Sequence, residues 1–186
     1  MIGIVGGVGP YAGLDLLKKV FDNTLAGKDQ DHADALLFSL PSGILDRTEF
    51  LEGRVKENPA GAISKVLLRL EQAGACVAGI PCNTAHVDQI FSLILSGLKQ
   101  AGSTLRVLHM ISETISFIRS TYPSLKKIGV LSTTGTYRSK IYKEMLESEG
   151  YEAVLPDPDM QEKLIHPAIY DPVYGIKSVS EPVHAS

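Results

Sequence analysis

Short apolar runs alternate with amphipathic stretches along the whole chain. Apolar runs of this length are typical of buried strands, and the stretches between them have the 3.6-residue period of helices. The pattern predicts six strands, at Ile2–Val5, Ala35–Leu40, Cys76–Ile80, Leu105–His109, Lys127–Ser132 and Glu152–Leu155. Strands that alternate with helices indicate an α/β fold around mostly parallel sheets.

Helices are predicted between these strands. They begin at Pro10, run from Pro59 to a stop at Gly74, and cover about Thr84 to Leu98, Ile111 to Ser120, and Tyr137 to Glu149. The stretch from Pro41 to Glu57 lacks a regular pattern and is predicted to be a loop. A loop of this length in a compact domain is more often functional than idle.

Two βα turns of the sequence resemble each other. Gly3 to Gly9 and Gly129 to Gly135 both show a strand, then a loop of small residues, then a helix, 126 positions apart. This echo predicts two similar parallel-sheet halves, residues 1–104 and 105–186, with an active site in the cleft between them. A chance match between two βα turns explains the echo equally well.

Composition excludes several classes of protein. The 186 residues carry a net charge of −3 with dispersed charges, so no basic surface is available to bind nucleic acid. No apolar run reaches the roughly 18 residues that span a bilayer. The first strand begins at the N-terminus and leaves no room for a signal peptide. The two cysteines form no disulfide framework, so a reducing, cytoplasmic location is expected.

The first candidate site is a glycine-rich loop, Gly7-x-Gly9-x-x-x-Gly13. It resembles a dinucleotide fingerprint but has one residue too many before the last glycine, and Pro10 lacks an N–H that could hold a pyrophosphate. Nucleotide binding is therefore disfavoured. Backbone amides near Gly7 could still bind a small carboxylate at the start of the helix.

The second candidate is Cys82, at the end of a predicted buried strand and the start of a predicted helix. Ligands of open α/β sheets bind at this edge, and the positive end of a helix favours a thiolate that can act as a base or nucleophile. Asn83 and Thr84 add short donors for a carboxylate or an amine. A buried structural cysteine before a helix cap fits the same pattern.

The other sulfur and imidazole groups give weaker signals. Cys76 begins the same strand and is predicted to pack in the core. His86 follows Cys82 by one helical turn, but no third ligand for a metal stands near it in the sequence. The histidines are scattered, and each is predicted to be hydrogen-bonded or solvated. No metal site is expected.

A third candidate is the run Ser132, Thr133, Thr134, Gly135 and Thr136. Its hydroxyls and backbone amides could form an anion site, or the run could simply cap the following helix. Outside this run, Arg47 and Lys163 could each bind a carboxylate, Arg47 through two hydrogen bonds. Solvation is the alternative for both.

Several segments together resemble one known family. They are Gly6–Pro10, Asp29–His32, Asp46–Thr48, Pro81–His86 and Thr133–Thr136, in that order along nearly the whole chain. In these segments the chain resembles the cofactor-independent aspartate/glutamate racemases, and most of all the aspartate racemases among them.

The resemblance implies racemisation of aspartate or glutamate without pyridoxal phosphate or metal, usually by a homodimer. In the family, one cysteine from each half moves the α-proton, and Cys82 matches the cysteine of the first half. The match places Asn83, Thr84 and the loop Thr133–Thr136 at the α-amino and α-carboxylate groups. It places Arg47 and Lys163 at the side-chain carboxylate.

The sequence departs from the family at the second cysteine, which usually lies in a Gly-Cys-Thr-Glu setting. The 126-residue offset would put it near position 208, beyond Ser186. The second half is therefore expected to be incomplete and this chain to be inactive or half-active. The alternatives are a single-cysteine decarboxylase or isomerase of the wider superfamily, and a protein that only binds dicarboxylic amino acids.

Overall fold

The computed structural model describes residues 1–177. The chain divides into two compact units, the first from Met1 to Thr114 and the second starting at Ile115. Residues 178–186, on which part of the expectation of an unfinished second half rested, lie outside the described residues.

The first unit is built on a parallel four-stranded sheet. Its strands are β1 (Ile2–Gly6), β2 (Ala35–Ser39), β3 (Val77–Gly79) and β4 (Arg106–Leu108). Their order in the sheet is β2-β1-β3-β4, so β1 and β3 are the inner strands. The first four predicted strands are confirmed in position, and none of their ends differs by more than one residue.

The helices of this unit are α1 (Pro10–Asp22), α2 (Arg47–Leu51), α3 (Ala60–Gln72) and α4 (Asp88–Gln100), with 3₁₀ turns at Asp29–Asp31, Pro41–Gly43 and Asn83–His86. Helix α3 buries Ile63, Val66, Leu67 and Leu70, which is the apolar face predicted from the sequence. It packs against α4, where Gly97 permits a close approach: a Cβ there would lie 3.1 Å from the hydroxyl of Ser64.

The boundary between the units differs from the one expected at residues 104 and 105. Strand β4 pairs with β3 in parallel register, Val77 opposite Arg106 and Gly79 opposite Leu108. This pairing ties β4 to the first sheet. Helix α5 (Met110–Thr121) follows β4 and contains the boundary at Thr114.

The stretch from Pro41 to Glu57 is not the structureless loop that was predicted. It contains α2, and the Asp46 carboxylate caps this helix by accepting hydrogen bonds from the amides of Thr48 (2.7 Å) and Glu49 (2.9 Å). An aspartate followed three residues later by a glutamate is a known helix-start signal, so the sequence did contain the information.

The second unit contains a pair of parallel strands, β5 (Lys127–Gly129) and β6 (Glu152–Val154), within the part of the chain that the structure describes. Both are shorter than predicted. Helices α6 (Thr134–Ser139), α7 (Ile141–Ser148), α8 (Pro158–Met160) and α9 (His166–Tyr170) and a π-helical turn at Gln161–Ile165 complete the described part.

The helix predicted from Tyr137 to Glu149 is two helices. It begins earlier, at Thr134, and it breaks at Lys140, whose φ of 58° lies in the left-handed region. A left-handed residue cannot continue a right-handed helix, so α7 starts anew at Ile141. The apolar period alone does not reveal such a break.

Candidate active site

The predicted site residues of the first unit lie at one edge of its sheet. Parallel strands end at the same edge, and β1, β2 and β3 end at Gly6, Ser39 and Gly79. The segments that follow these strands contain Gly7, Arg47 and Cys82. The fold therefore gathers three of the candidates at the edge where open α/β sheets bind ligands.

The glycine loop after β1 has a backbone that excludes side chains. Gly7 has a φ of 87°, and a Cβ there would lie 2.6 Å from the carbonyl carbon of Leu40. Gly9 also has a positive φ, of 133°. These glycines are required by the tight turn from β1 into α1 and by its contact with the segment after β2.

Arg47 links this loop to the following segment. Its guanidinium donates hydrogen bonds to the carbonyl oxygens of Val8 and Leu45, each at 3.2 Å. The Nε atom of Arg47 is buried without a hydrogen-bond partner in the described structure. Arg47 is thus a half-buried cation at the sheet edge rather than the solvated side chain that was the alternative.

Cys82 lies on a tight turn after β3. Its amide donates to the carbonyl oxygen of Ile80 at 2.8 Å, which closes a γ-turn centred on Pro81. The half-buried Sγ lies 3.4 Å from the hydroxyl of Thr84, which is buried. Asn83 is half-buried beside it, and α2 packs against this turn.

The predicted helix from Thr84 to Leu98 starts later than expected. Asn83–His86 form a 3₁₀ turn, and α4 begins at Asp88. The positive end of the α4 dipole is therefore at Asp88 and not at Cys82, which removes the helix-dipole argument for a thiolate at Cys82. The nearest described partner of the sulfur is the Thr84 hydroxyl.

A histidine cluster behind this turn was missed. The ring centroids of His86 and His109 are 4.7 Å apart. The ring centroid of Phe91 lies 5.0 Å from that of His86 and 4.8 Å from that of His109. The prediction that the histidines are scattered is wrong for this pair. A signal existed, because His109 directly follows β4, the neighbour of β3 in the sheet.

His86 is the most buried member of the cluster, with 1% of its surface exposed. Burial and, to a lesser extent, the interaction with His109 lower its pKa from 6.5 to about 4, against the opposing effect of its hydrogen bond to Ile80. His86 is therefore neutral near pH 7. Its Nε2 donates to the Ile80 carbonyl at 3.0 Å, and its buried Nδ1 has no hydrogen-bond partner in the described structure.

Cys76 is not a core residue. It lies exposed at the opposite end of β3 from Cys82, beside Met1, whose carbonyl accepts from the Cys76 amide at 3.1 Å. The prediction that it packs in the core is wrong, because Cys76 lies exposed at the edge where β1 begins. Cys82 is thus the thiol at the carboxyl edge of the first sheet.

The hydroxyl run of the second unit caps α6. Thr133 accepts from the amide of Thr136 at 3.5 Å, and its hydroxyl lies 3.1 Å from the Thr136 hydroxyl. Thr134 pairs with Nδ1 of His166 at 2.9 Å. The capping alternative is confirmed, and binding of an anion by Thr133, Thr134, Gly135 and Thr136 stays a prediction.

Lys163 lies on the exposed π-helical turn of the second unit. Its ammonium forms an ion pair with Asp159, four residues earlier, at 2.7 Å. Both side chains are more than 70% exposed, so this pair contributes little stability and the lysine remains accessible. Its role at a substrate carboxylate stays a prediction. Among residues 1–177, no cluster of three or more histidine, cysteine or acidic side chains is placed to hold a metal.

The carboxyl edge of the first sheet thus combines a half-buried thiol, a half-buried guanidinium and a turn of backbone amides. A thiol can take up and return a proton, and the other two groups can bind carboxylates. No helix of the described chain is both long and apolar enough to traverse a bilayer.

The sequence model of the Asp/Glu/hydantoin racemase family matches residues 5–170. The chain therefore belongs to this family, and the resemblance stated from its motifs is confirmed. The broad-specificity amino-acid racemase RacX of Bacillus subtilis is 32% identical over 161 residues, which are 84% of this chain and 65% of that protein. This chain thus spans slightly less than two thirds of the length of RacX.

Solved structures share the fold of this chain. The aspartate racemase of Picrophilus torridus is 33% identical, with a TM-score of 0.73 over 90% of this chain and 67% of its own. An aspartate racemase homologue from Pyrococcus horikoshii, 22% identical, shares the fold with a TM-score of 0.70 over 90% of this chain and 69% of its own. The predicted α/β class with parallel sheets is confirmed.

Proposed function

We propose that this chain contributes the first thiol of an amino-acid racemase that needs neither pyridoxal phosphate nor a metal. The observation that carries the proposal is the position of Cys82 at the carboxyl edge of the sheet, where the glycine loop and Arg47 also lie. Membership of the racemase family and similarity to RacX and to the Picrophilus torridus aspartate racemase support it.

The proposed step is proton transfer at the α-carbon. The α-hydrogen of an amino acid is a weak acid, so removal requires a base held against it and donors that stabilise the carbanion's charge. The thiolate of Cys82 takes the proton from one face and returns it as a thiol. The Thr84 hydroxyl, 3.4 Å from Sγ, is placed to donate to the thiolate.

Substrate binding is assigned to the remaining candidates. Asn83, Thr84 and the amide of Gly7 bind the α-amino and α-carboxylate groups in this proposal. The resemblance adds the Thr133–Thr136 loop of the second unit to the same groups. Arg47 binds the side-chain carboxylate together with Lys163, which makes aspartate and glutamate the expected substrates.

The expected location, oligomeric state and second thiol follow from the family resemblance rather than from the described chain. We propose a cytoplasmic homodimer, and a second thiol that acts on the other face of the substrate. A single-cysteine decarboxylase or isomerase remains the second candidate. It is favoured by the position of Cys76, which is at the wrong edge of the sheet to serve as the second base.

Arg47→Met should reduce selectivity for acidic amino acids. We expect kcat/KM for aspartate or glutamate to fall about 100-fold, because a charge-assisted pair with a carboxylate is lost, and kcat/KM for alanine to change less than about threefold. Methionine keeps a flexible, unbranched side chain without the guanidinium or its charge. The measurement is α-proton exchange on each amino acid.

Equal losses for acidic and neutral substrates would contradict this role. They would mean that Arg47 acts only through its hydrogen bonds to Val8 and Leu45, by shaping the glycine loop. Lys163→Met tests the second predicted carboxylate ligand in the same assay.

The 186-residue polypeptide should exchange the α-proton of one enantiomer without interconverting the two. One thiol can remove and return a proton on one face, while inversion needs a donor on the other face. Proton NMR in heavy water detects the exchange, and polarimetry detects inversion. Full racemisation by this polypeptide would contradict the two-thiol scheme. Loss of a carboxylate would favour the decarboxylase, and binding without any exchange would leave only a binding protein.

A further inference from the structure

Two polar groups converge on a single carbonyl oxygen at the end of β3. The Ile80 carbonyl accepts from the Cys82 amide at 2.8 Å and from Nε2 of His86 at 3.0 Å. Ile80 itself is 1% exposed, so this oxygen is sheltered from water. His86 is therefore bound to the same atom that fixes the backbone of Cys82.

A second histidine holds the other end of the turn. Nε2 of His109 donates to the carbonyl of His86 at 3.2 Å. Nδ1 of His109 in turn accepts from the Ser112 amide, at 3.3 Å, at the start of α5. The two imidazoles thus connect the segment Ile80–His86 to the next strand end and to the following helix.

The same contacts assign the tautomers. Each ring donates through Nε2 to a carbonyl, and Nδ1 of His109 accepts from the Ser112 amide, so the Nε2–H tautomer fits both rings. The pKa of His86, lowered to about 4 by burial, agrees with a neutral ring at pH 7. The buried Nδ1 of His86 has no hydrogen-bond partner in the described structure, and burying an unpaired polar atom lowers stability. An apolar side chain of similar size would fill the same space without this cost.

We propose that His86 is a positioning residue for Cys82, supported by His109, and that its Nε2–H hydrogen bond to Ile80 sets the geometry of the thiol-bearing γ-turn. The catalytic part of this statement rests on the proposed function of Cys82. Without the Nε2–H donor, the Ile80 carbonyl keeps only the Cys82 amide, and the short turn around Pro81 can open.

The test compares His86→Met with His86→Gln in the full chain. Methionine fills a similar volume without a donor, while the glutamine Nε2 can donate to Ile80. We expect the exchange of the Cys82 amide with heavy water to accelerate at least about 10-fold in His86→Met, by loss of one buried hydrogen bond, and to stay within about threefold of the unmodified chain in His86→Gln. The amide of Leu67, in the core of α3, reports global stability and should change less than about threefold in both.

Activity gives a second comparison. In His86→Met we expect kcat for α-proton exchange to fall at least about 10-fold with KM within about twofold, because the misplaced thiol affects the transition state more than binding. His86→Gln should recover most of kcat. His109→Met and His109→Gln, which alter a half-buried ring, provide the same comparison if His86→Met does not fold.

Two results would overturn the proposal. One is a Cys82 amide in His86→Met that is as protected as in the unmodified chain. The other is amide exchange that accelerates equally at Cys82 and Leu67 in His86→Met and is not restored in His86→Gln. That result would mean that His86 acts only by packing. If Cys82→Ala retains proton exchange, the proposed function fails, while the amide comparison still decides whether His86 positions the turn.

Discussion

Acidification from pH 7 to pH 4 should remove about 3 kcal/mol of stability through His86 alone. The pKa of this side chain is about 4 in the folded protein and 6.5 in the unfolded chain. Above pH 6.5 both states are neutral at this residue. Between pH 6.5 and 4 the unfolded chain binds a proton that the folded protein does not, so stability falls as the pH falls.

The measurement is the free energy of unfolding in urea at several pH values, for the unmodified chain and for His86→Gln. Every carboxylate titrates in both proteins, so their contribution cancels in the difference. Between pH 7 and pH 4, the free energy of unfolding of the unmodified chain should fall by about 3 kcal/mol more than that of His86→Gln. If the free energies of unfolding of the two proteins fall equally between pH 7 and pH 4, the result contradicts a buried, neutral His86.

Cys82→Ala should abolish proton exchange while leaving substrate binding intact. We expect the rate of α-proton exchange to fall at least about 10³-fold, within the usual contribution of a general base, because no other thiol lies at this edge in the described structure. The dissociation constant for the amino acid should change less than about threefold, because carboxylate contacts dominate binding. Calorimetric titration and the exchange assay measure the two quantities.

The matched control for this variant is Cys76→Ser. Cys76 is exposed at the amino end of β3, so its loss removes a thiol of the same chain without touching the candidate site. We expect unchanged exchange and unchanged binding. Loss of binding together with exchange in Cys82→Ala would mean instead that Cys82 holds the shape of the site.

The strands of this fold could be predicted because each is a short apolar run bounded by turn residues. The clearest examples are β1 and β2, which were placed correctly at their first residues. The ends were less certain, since a run such as Cys76–Ile80 stays apolar beyond the three residues that pair in β3. Apolar character indicates burial, and ladder pairing depends on the neighbouring strand.

The start of α4 could not be predicted from its periodicity. Apolar spacing fits a helix that begins near Thr84, but the chain first makes a 3₁₀ turn at Asn83–His86. That turn is stabilised by the contact of His86 with Ile80 and of His109 with His86, 23 residues away. Contacts between distant residues override local preference here, and they also explain why the histidine cluster was missed.

The candidate site was predicted in part. Cys82 was identified from its place after a predicted strand, Gly7 from its glycine-rich loop, and Arg47 as a loop cation able to bind a carboxylate. In the structure all three follow strands whose carboxyl ends lie at the same sheet edge. The sequence did not reveal that Arg47 binds the Val8 carbonyl, because this contact depends on the short helix α2 and its Asp46 cap. Lys163 was chosen from its charge and from the family resemblance, and the structure pairs it with Asp159.

The most direct test of the central claim is the loss of the α-proton NMR signal in heavy water, compared between Cys76→Ser and Cys82→Ala. Each protein is incubated with each enantiomer of aspartate and glutamate. In Cys76→Ser, where Cys82 is the one remaining cysteine, the signal of at least one enantiomer should decay as in the unmodified chain. In Cys82→Ala it should persist. Decay at the same rate in Cys82→Ala would contradict the assignment of Cys82 as the base.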